Sequence, residues 1–473
     1  MPDSSTSQEL YAKRIPIVPR SIKGPFRNFK TVVLLLGYVV YFGLPWLPWH
    51  RLDGAPQAVM FDIPGRRYML FDLVVHPQEV FWLALLLFIA AVFLFFVTAL
   101  VGRAFCGYFC FQTLWTDAFI WIEHMIQGER PKRLNLMNRP WRDREKLIKV
   151  GLTRLLWLAL SFWTALTFVL YFGYAPDQVS AFFTGQAAGA AYIATLALTI
   201  TTYMAAGMLR EHVCMFICPY GRFQSAMYDP GTLSVHYDKA RGEGSNGRAT
   251  ARAGLRSLEE RHAQGHGDCI DCGLCVQVCP VGIDIRQGMQ FKCISCGLCI
   301  DACNTIMTKM SYPKNLIRYD SETNLALPQP KPELQIKWKN IKVLGYGASV
   351  VLMTAYLIYS IATRQSFEHS VQQIRQPLFV TLSDGSIRNR YQIRLTNISG
   401  LEETYSIEAR GLPVGALDIG SFSRVTIKNG KSVIVQASVK LDPVRARNLD
   451  HFEFVIRNSQ GESVTDEARF FAK

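Results

Sequence analysis

Five long apolar stretches interrupt an otherwise mixed pattern of polar and apolar residues along the chain. They cover about residues 31–48, 79–101, 153–173, 188–208 and 341–362. Each is roughly 18–23 residues long, enough for an α-helix to cross about 30 Å of hydrocarbon. Tyr41, Trp46 and Trp49 close the first stretch, as is typical of a membrane–water interface. The pattern therefore predicts an α-helical transmembrane bundle of five spans.

The last 110 residues follow a different pattern, in which apolar and polar residues alternate. Seven such segments, separated by turns such as Ser-Asp-Gly and Lys-Asn-Gly, read LFVTL, YQIRLTN, TYSIEA, SRVTI, SVIVQASVKL, HFEFVIRN and ARFFA. Alternation is typical of half-buried strands, and seven short strands at this spacing indicate an immunoglobulin-like sandwich. Residues 364–473 are therefore predicted to form an all-β domain with a structural or partner-docking role.

Charge orients the predicted spans. The chain carries a net charge of +14. Lys and Arg number six in residues 1–30, three in 49–78 and nine in 102–152, whereas 175–187 holds none. Because positive loops stay in the cytoplasm, the N-terminus is predicted to be cytoplasmic and the β-domain periplasmic. No helix–turn–helix or RNA-binding signature accompanies the basic balance, so nucleic acid is not an expected partner.

Eight of the twelve cysteines lie in two copies of one pattern, CIDCGLCVQVCP and CISCGLCIDACN, between residues 269 and 304. The first three cysteines of each copy are two residues apart and the fourth follows after three more. This is the ligand run of a bacterial ferredoxin with two [4Fe–4S] clusters, in which the fourth cysteine ligates the other cluster. One cluster is thus assigned to Cys269, Cys272, Cys275 and Cys303, and the other to Cys293, Cys296, Cys299 and Cys279. A disulfide framework or a zinc site fits this spacing less well.

The other four cysteines form two Cys-x₃-Cys pairs, each just past an apolar stretch. Cys106 and Cys110 follow the second stretch, and Cys214 and Cys218 follow the fourth. An i, i+4 spacing places two sulfurs on one face of a helix, and the resemblance between the pairs suggests a repeated helical hairpin. Soft thiolates select Cu(I), zinc or iron–sulfur iron, or cycle as dithiol and disulfide; the alternative is that they are small buried apolar residues. The neighbouring His212 and Met215 are further candidate copper ligands.

Charged residues and histidines are absent from the middle of the five apolar stretches. Ion and proton pathways usually need such charges, and a transmembrane haem needs axial ligands such as histidine. A pump, a transporter and a haem conduit are therefore disfavoured. The redox chemistry is expected on the cytoplasmic side.

The predicted organisation has five regions. They are a basic arm (1–30) without the features of a signal peptide, a four-helix transmembrane region (31–230), a linker and α+β ferredoxin domain (231–340), a fifth transmembrane helix (341–363) and the β-domain (364–473). Within the third region, residues 241–268 are rich in Gly and Arg. They are predicted to form a mobile linker or an insertion, with a short helix near Leu255 to His262.

From about residue 15 to its end, the chain resembles the cytochrome c oxidase accessory protein family CcoG, also called FixG or RdxA. The resemblance lies in the span count, the two Cys-x₃-Cys motifs (the second followed by Pro219), the segments VHYDKARGE (235–243) and YPKNLIRY (312–319), and the immunoglobulin-like tail.

This resemblance implies a protein of the bacterial inner membrane that reduces Cu(II) to Cu(I) for the assembly of cbb3-type cytochrome oxidase, which would make it a cupric reductase. Expected cofactors are two [4Fe–4S] clusters, with copper as the substrate or a bound ion. Expected partners are a cytoplasmic electron donor, a copper chaperone or copper transporter, and oxidase assembly factors. No feature of the sequence sets the oligomeric state, and a homodimer is among the states it allows.

Two other functions are compatible with the motifs. The first is an electron conduit from quinol to a periplasmic reductase, and the absence of cysteines from residues 364–473 weighs against it. The second is a non-catalytic assembly scaffold with structural clusters.

Overall fold

The computed structural model describes residues 17–50, 55–327, 338, 340–420 and 424–472. The chain divides into two compact units, Met1–Leu47 with Gln57–Ala355 and Pro48–Pro56 with Tyr356–Lys473. The first sixteen residues of the predicted arm and residues 328–337 and 339 of the predicted ferredoxin region lie outside the described residues.

Five helices are long and apolar enough to cross a membrane, and they confirm the five predicted spans. They are Pro25–Trp46, Val80–Val101, Arg144–Leu170, Gly189–Leu209 and Ile341–Ala362, here called the first to fifth spans. The first comprises the α-helix Pro25–Gly43 and a 3₁₀ turn Leu44–Trp46, and the fourth changes from α-helix (Gly189–Thr202) to π-helix (Tyr203–Leu209).

The first span begins six residues earlier than its apolar stretch, inside the predicted arm. Pro25 occupies the first turn, where its missing N–H costs nothing. The Asp301 carboxylate accepts the next two backbone N–H groups, from Phe26 at 3.4 Å and Arg27 at 2.8 Å. Residues 25–30 are therefore helical, and the end of the span is held by a side chain 274 residues away.

The third span begins at Arg144, nine residues before its apolar stretch, and the rest of residues 102–152, expected above to form a loop, contains three helices. They are Ala104–Tyr108, Phe111–Gln127 and Arg130–Asn138. Phe111–Gln127 packs its apolar face against the first and third spans, and the Trp115 indole donates to Thr164 Oγ1 at 2.8 Å. This helix thus belongs to the bundle, although it is too short and too polar to count as a span.

Shorter elements complete the bundle. An antiparallel sheet of Val59–Asp62, Arg67–Leu70 and Leu73–Val75, with a 3₁₀ turn Pro77–Glu79, precedes the second span, and helix Ala175–Phe183 separates the third from the fourth. A π-helical turn Val213–Ile217 and helix Pro219–Met227 follow the fourth span.

The ferredoxin region is a small α+β unit. Its strands Ser234–Tyr237 and Ile317–Asp320 pair antiparallel, and its helices are Lys239–Glu243, Leu258–Ala263, Leu274–Gln277, Leu298–Lys309 and Glu322–Leu325, with a 3₁₀ turn Ile285–Gln287. The predicted short helix is present at Leu258–Ala263, but the surrounding segment is packed rather than extended as a linker. Its fully buried Arg261 donates to the carbonyls of Gly267 at 3.0 Å and Cys269 at 2.8 Å.

The described part of the tail is a two-sheet sandwich, as predicted. One sheet is ordered Leu417–Asp418, Ser432–Leu441, Ile387–Asn397, Phe367–Gln373, with Val380–Thr381 also pairing with Ile387–Asn397; the other is ordered Arg424–Ile427, Glu403–Arg410, His451–Asn458, Ser463–Arg469. A short helix, Pro443–Asn448, links two strands. The sequence pattern missed the edge strand Phe367–Gln373 and the two-residue strand Leu417–Asp418, and it placed the last strand five residues too late.

Candidate metal centres

The two cysteine runs of the ferredoxin region fold in the same way. In each, the residue before the second cysteine has a left-handed backbone, with φ of 49° at Asp271 and again at Ser295. The glycine after that cysteine is also left-handed, with φ of 63° at Gly273 and 70° at Gly297, and it begins a helix. Positive φ angles on both sides of the second cysteine curl the chain tightly, so the first three thiols of each run can face one cluster.

The fourth cysteine of each run lies with the other run. The pKa of the Cys303 thiol is raised to about 12, chiefly by burial and then by the negative charges of Cys275, Cys269 and Cys272. Burial likewise raises the pKa of the Cys299 thiol; Cys296, Cys293 and Cys279 add to that effect, and Cys275 of the other group contributes least. The eight thiols thus fall into the two mixed groups named in the sequence analysis, whose role as cluster ligands stays a prediction.

The chemistry of these groups fits iron–sulfur clusters better than single ions. In the described part of the chain, no three His, Cys, Asp or Glu side chains are spaced to hold one metal ion. The thiols are instead spread around an apolar interior that includes Ile283, Ile285 and Ile300. Eight soft sulfurs in two groups of four, all but Cys272 at least partly buried, are what two four-iron clusters require.

The second cysteine set departs from its prediction, because neither Cys-x₃-Cys pair lies on one helix face. Cys106 lies in the helix Ala104–Tyr108, whereas Cys110 has an extended backbone and is the N-cap of the next helix, Phe111–Gln127. Cys214 and Cys218 repeat this arrangement around the π-helical turn and the helix Pro219–Met227. In the second pair Pro219 accounts for the break, since a residue before proline is pushed out of the helical region.

The two pairs nevertheless meet. Burial raises the pKa of Cys106 to about 12, with smaller upward contributions from Cys110 and Cys214. Burial also raises the pKa of Cys214 to about 11, and Cys110 and Cys218 add to it. Cys106 thus lies within electrostatic reach of Cys110 and Cys214, and Cys214 within reach of Cys110 and Cys218. Cys110 and Cys218 occupy helix N-termini, where the helix dipole favours negative charge.

Two polar side chains outside the cysteine motifs lie at this four-thiol site. The Arg103 guanidinium donates to the carbonyls of Gly221 and Phe291, and its charge lowers the pKa of both Cys106 and Cys214. Gln224 Oε1 accepts from Cys106 Sγ at 3.5 Å. Only the recurrence of an arginine before each cysteine pair could have singled out Arg103. Of the candidate copper ligands, His212 lies 3.3 Å from the Glu211 carboxylate.

The four-thiol site adjoins the second cysteine run. Tyr108 donates its hydroxyl to the Cys296 carbonyl at 2.9 Å, and Cys106 packs on the apolar cluster that contains Cys296 and Ile294. No pattern in the sequence predicts this contact, which joins residues 188 apart.

Comparison with known families places iron–sulfur domains over both regions. A family model described as a 4Fe-4S dicluster domain matches residues 209–322, and one described as a 4Fe-4S binding domain matches residues 83–129. A model described as an IG-like fold at the C-terminal of FixG matches residues 357–473.

Individual relatives match most of the chain. Protein RdxA of Cereibacter sphaeroides is 40% identical over 414 residues, which cover 86% of this chain and 84% of that protein. Nitrogen fixation protein FixG of Rhizobium meliloti is 36% identical over 450 residues, which cover 88% and 84%. A crystal structure of a FixG-related protein from Vibrio parahaemolyticus is 19% identical, covers 23% of this chain and 99% of that chain, and superposes with a TM-score of 0.21.

Proposed function

The chain belongs to the RdxA and FixG family of iron–sulfur electron-transfer proteins, and we propose that its task is to reduce Cu(II) to Cu(I) for the assembly of a cbb3-type cytochrome c oxidase. The observation that carries this proposal is the four-thiol site, which lies directly beside the second cysteine run of the ferredoxin region. Cu(I) prefers sulfur ligands. Thiols next to a centre that transfers single electrons therefore suit the reduction of Cu(II) to Cu(I).

In this proposal Cys269, Cys272, Cys275 and Cys303 hold one [4Fe–4S] cluster, and Cys293, Cys296, Cys299 and Cys279 hold the other. Two observations support it, the mixed grouping of the thiols and the dicluster family match. When bound, the clusters supply transfer of single electrons at low potential. Apolar residues around the thiols limit the access of water to both positions, although Cys272 itself is exposed.

Copper is the substrate. Cys106, Cys110, Cys214 and Cys218 bind it, Cu(II) accepts one electron, and the Cu(I) product is stabilised by thiolate ligands. Burial disfavours the thiolate form of Cys106 and Cys214 in the metal-free protein, so binding a cation would displace protons from these thiols. Arg103 and the two helix N-termini offset part of that cost.

The proposed site in the cell is the bacterial inner membrane, with the N-terminus and the ferredoxin region in the cytoplasm and the tail in the periplasm. The distribution of Lys and Arg supports this orientation. The proposed partners are a cytoplasmic electron donor, a copper chaperone or copper transporter, and assembly factors of the oxidase.

One observation favours a second occupant for the four-thiol site. The 4Fe-4S binding domain model covers Cys106 and Cys110. An iron–sulfur cluster at this position would make the site an electron relay. Iron content separates the two assignments, with roughly eight irons per chain expected for two four-iron clusters and about twelve for three.

The deciding experiment uses the full-length protein, purified without oxygen, and the Cys214→Ser/Cys218→Ser double variant. We expect the variant to keep its iron and to lose reduction of added Cu(II), followed with a Cu(I)-specific chromogenic chelator. Phe216→Leu, which alters an exposed side chain between the same two cysteines, is the matched control and should reduce copper normally. Undiminished copper reduction by the double variant would refute the site, and a loss of about four irons would assign it to a cluster.

A further inference from the structure

An apolar groove of about 520 Å³ runs between the third and fourth spans. One wall is the third span, which contributes Leu155, Leu158, Ala159 and Phe162, and the opposite wall is formed by the fourth span and Phe182. From Leu155 to Phe162 a helix rises by about 10 Å, whereas one leaflet contributes half of about 30 Å of hydrocarbon. The groove therefore follows the axis of the third span over much of the depth of one leaflet.

The hydroxyl groups among the lining residues are all used by the protein itself. Tyr192 donates its hydroxyl to the Phe182 carbonyl at 2.8 Å. Thr195 Oγ1 donates to the Ala191 carbonyl at 2.8 Å, and Thr199 Oγ1 donates to the Thr195 carbonyl at 2.7 Å. A quinone in the groove would find no donor for its carbonyls and would leave them unsatisfied. The lining therefore fits a hydrocarbon chain.

Two cations meet on one indole where the groove begins. Arg154 immediately precedes the first lining residue, and its guanidinium lies 6.0 Å from the centre of the Trp141 ring. The Lys146 ammonium lies 4.6 Å from the centre of the same ring. Trp141 itself is exposed, and tryptophan is enriched at membrane–water interfaces. This end of the groove thus combines an interfacial aromatic side chain with two positive charges.

Acidic side chains do not neutralise these two charges. The Lys146 ammonium donates to two backbone carbonyls, which carry no net charge. The nearest carboxylates along the chain, Asp143 and Glu145, pair with Arg139 instead. Within the residues that the structure describes, neither Lys146 nor Arg154 pairs with a carboxylate. An anion held at Trp141 would supply the missing counter-charge.

The charged end and the groove lie at the depths that a lipid needs. Arg154 is about 24 Å from the end of the third span at Leu170, at 1.5 Å per residue, so it lies near one border of about 30 Å of hydrocarbon. Gly151, one helical turn before Arg154 and Leu155, leaves the helix surface open, because a Cβ added there would meet nothing within 4 Å. The space at Trp141 is therefore continuous with the groove.

We propose that this groove binds one anionic phospholipid from the leaflet at the N-terminal end of the third span. Its phosphate and acidic headgroup lie beside Arg154 and Lys146, and one acyl chain fills the groove as far as Phe182. A zwitterionic lipid would fill the groove but leave both cations without a counter-charge, and a helix from a second copy of the chain would in addition bury them. This binding site goes beyond the proposed function and does not depend on it.

The test uses the full-length protein with its clusters, purified in mild detergent. Phosphatidylglycerol and phosphatidylcholine with the same acyl chains are added in equal amounts, and native mass spectrometry counts the lipids that each chain retains. We expect wild type to retain one phosphatidylglycerol, with a several-fold preference over phosphatidylcholine. Arg154→Gln should abolish the preference and Arg154→Lys should keep most of it. Lys132→Gln is the matched control, since it removes an exposed cation elsewhere and should bind as wild type does.

A second variant tests the groove separately from the charge. Ala159→Phe fills the groove and should lower retention of both lipids several-fold, whereas Ala348→Phe, at an exposed alanine of the fifth span, should not. Variants are compared at equal iron content, which shows that they have folded. Because a ligand that binds only the folded state stabilises it, added phosphatidylglycerol should also raise the unfolding temperature of wild type and not that of Arg154→Gln.

Three results would overturn the proposal. The first is equal retention of both lipids by wild type, unchanged in Arg154→Gln. The second is one quinone per chain in organic extracts of wild type that is lost in Ala159→Phe. The third is a wild-type dimer that Ala159→Phe converts to a monomer, which would make a second copy the occupant. None of these measurements involves copper, so their outcome is separate from that of the proposed function.

Discussion

At the scale of single residues, Arg103 joins three parts of the first unit. It lies just past the second span, and its guanidinium donates to carbonyls of Gly221, next to the second thiol pair, and of Phe291, just before the second cysteine run. Its charge acts on Cys106 and Cys214, one thiol from each pair. One side chain therefore both ties these segments together and sets the charge at the site.

Replacing Arg103 by Gln should raise the pKa of the Cys106 and Cys214 thiols, because burial would then act without the opposing charge. Each unit of pKa lowers the thiolate fraction about tenfold at a given pH below it, and the thiolate is the reactive form. Alkylation of these two thiols in copper-free protein, read by peptide mass spectrometry from pH 7 to 10, should slow several-fold. Arg103→Lys keeps the charge and should slow less. Unchanged rates in Arg103→Gln would contradict this electrostatic role.

The cysteines could be predicted from the sequence, whereas most of their partners could not. Eight cysteines in two runs of identical spacing indicate iron–sulfur clusters, because that spacing is typical of the cluster ligands in two-cluster ferredoxins. Arg103 and Tyr108 act on backbone carbonyls 118 to 188 residues away. A carbonyl is present in every residue, so such contacts leave no trace in the sequence.

At the scale of elements, helix Phe111–Gln127 anchors the bundle through two buried carboxylates. Asp117 pairs with Arg27 at 2.9 Å and with Lys30 at 3.3 Å, both at the start of the first span. Glu123 pairs with Arg133 and with Arg210, which follows the fourth span. The helix thus ties the beginning of one span to the end of another through charges that water hardly reaches.

Asp117→Asn should destabilise the protein by about 3 kcal/mol near pH 7, because the buried Lys30 ammonium loses its counter-charge. Burial alone would raise the pKa of Asp117, but the charges of Lys30 and Arg27 lower it below its usual value. A carboxyl with a lowered pKa contributes stability above about pH 4 and loses it as the pH falls through the folded-state pKa. Unfolding in detergent at several pH values should therefore show wild type and variant converging in acid.

The exposed Asp177 supplies the control for that measurement, since Asp177→Asn should leave unfolding unchanged at every pH. A constant difference between Asp117→Asn and wild type across the acid range would show that packing, rather than charge, accounts for the loss.

Arg261 plays a comparable part for the segment before the first cysteine run. Besides Gly267 and Cys269, its guanidinium donates to the Ala249 carbonyl at 3.0 Å. Arg261→Met keeps the volume but leaves these buried carbonyls without donors, at a cost of about 1–3 kcal/mol each. We expect faster proteolysis at residues 248–256 and a fall from roughly eight irons per chain toward four, as the cluster near Cys269 is lost. Arg252→Met removes an exposed arginine and should keep its iron; an iron-replete, protease-resistant Arg261→Met variant would contradict this role.

Elements were predictable where one physical signal dominates. The five spans follow from uninterrupted apolar length, and the strands of the tail follow from alternation over eight or more residues, as in Ser432–Leu441. Helix Phe111–Gln127 was not predicted because its charged residues are typical of a loop. The structure shows that these charges are buried and paired with Lys30 and Arg210, which are distant in the sequence. The break in the helix inside each Cys-x₃-Cys pair was not predicted, because residue spacing alone does not show that the second cysteine is an N-cap.

At the scale of the whole molecule, the chain combines two units with separate apolar cores. The core of the tail draws its buried residues from Phe367 to Phe470, and those of the ferredoxin region and the bundle draw theirs from Leu114 to Ile317. All twelve cysteines belong to the first unit. The cysteines assigned to the redox chemistry are thus confined to one unit.

That division yields a prediction about sidedness. Positive loops are retained in the cytoplasm, so the Lys- and Arg-rich residues 102–152 and the ferredoxin region should lie inside, and residues 175–187 and the tail outside. Alkaline phosphatase, which is active only outside the cytoplasm, should be active when fused after Gly185 or Lys473 and inactive after Asp320. A fluorescent protein that matures only inside should give the opposite result at all three points. Phosphatase activity after Asp320 would place the clusters outside and remove the cytoplasmic electron donor from the proposed function.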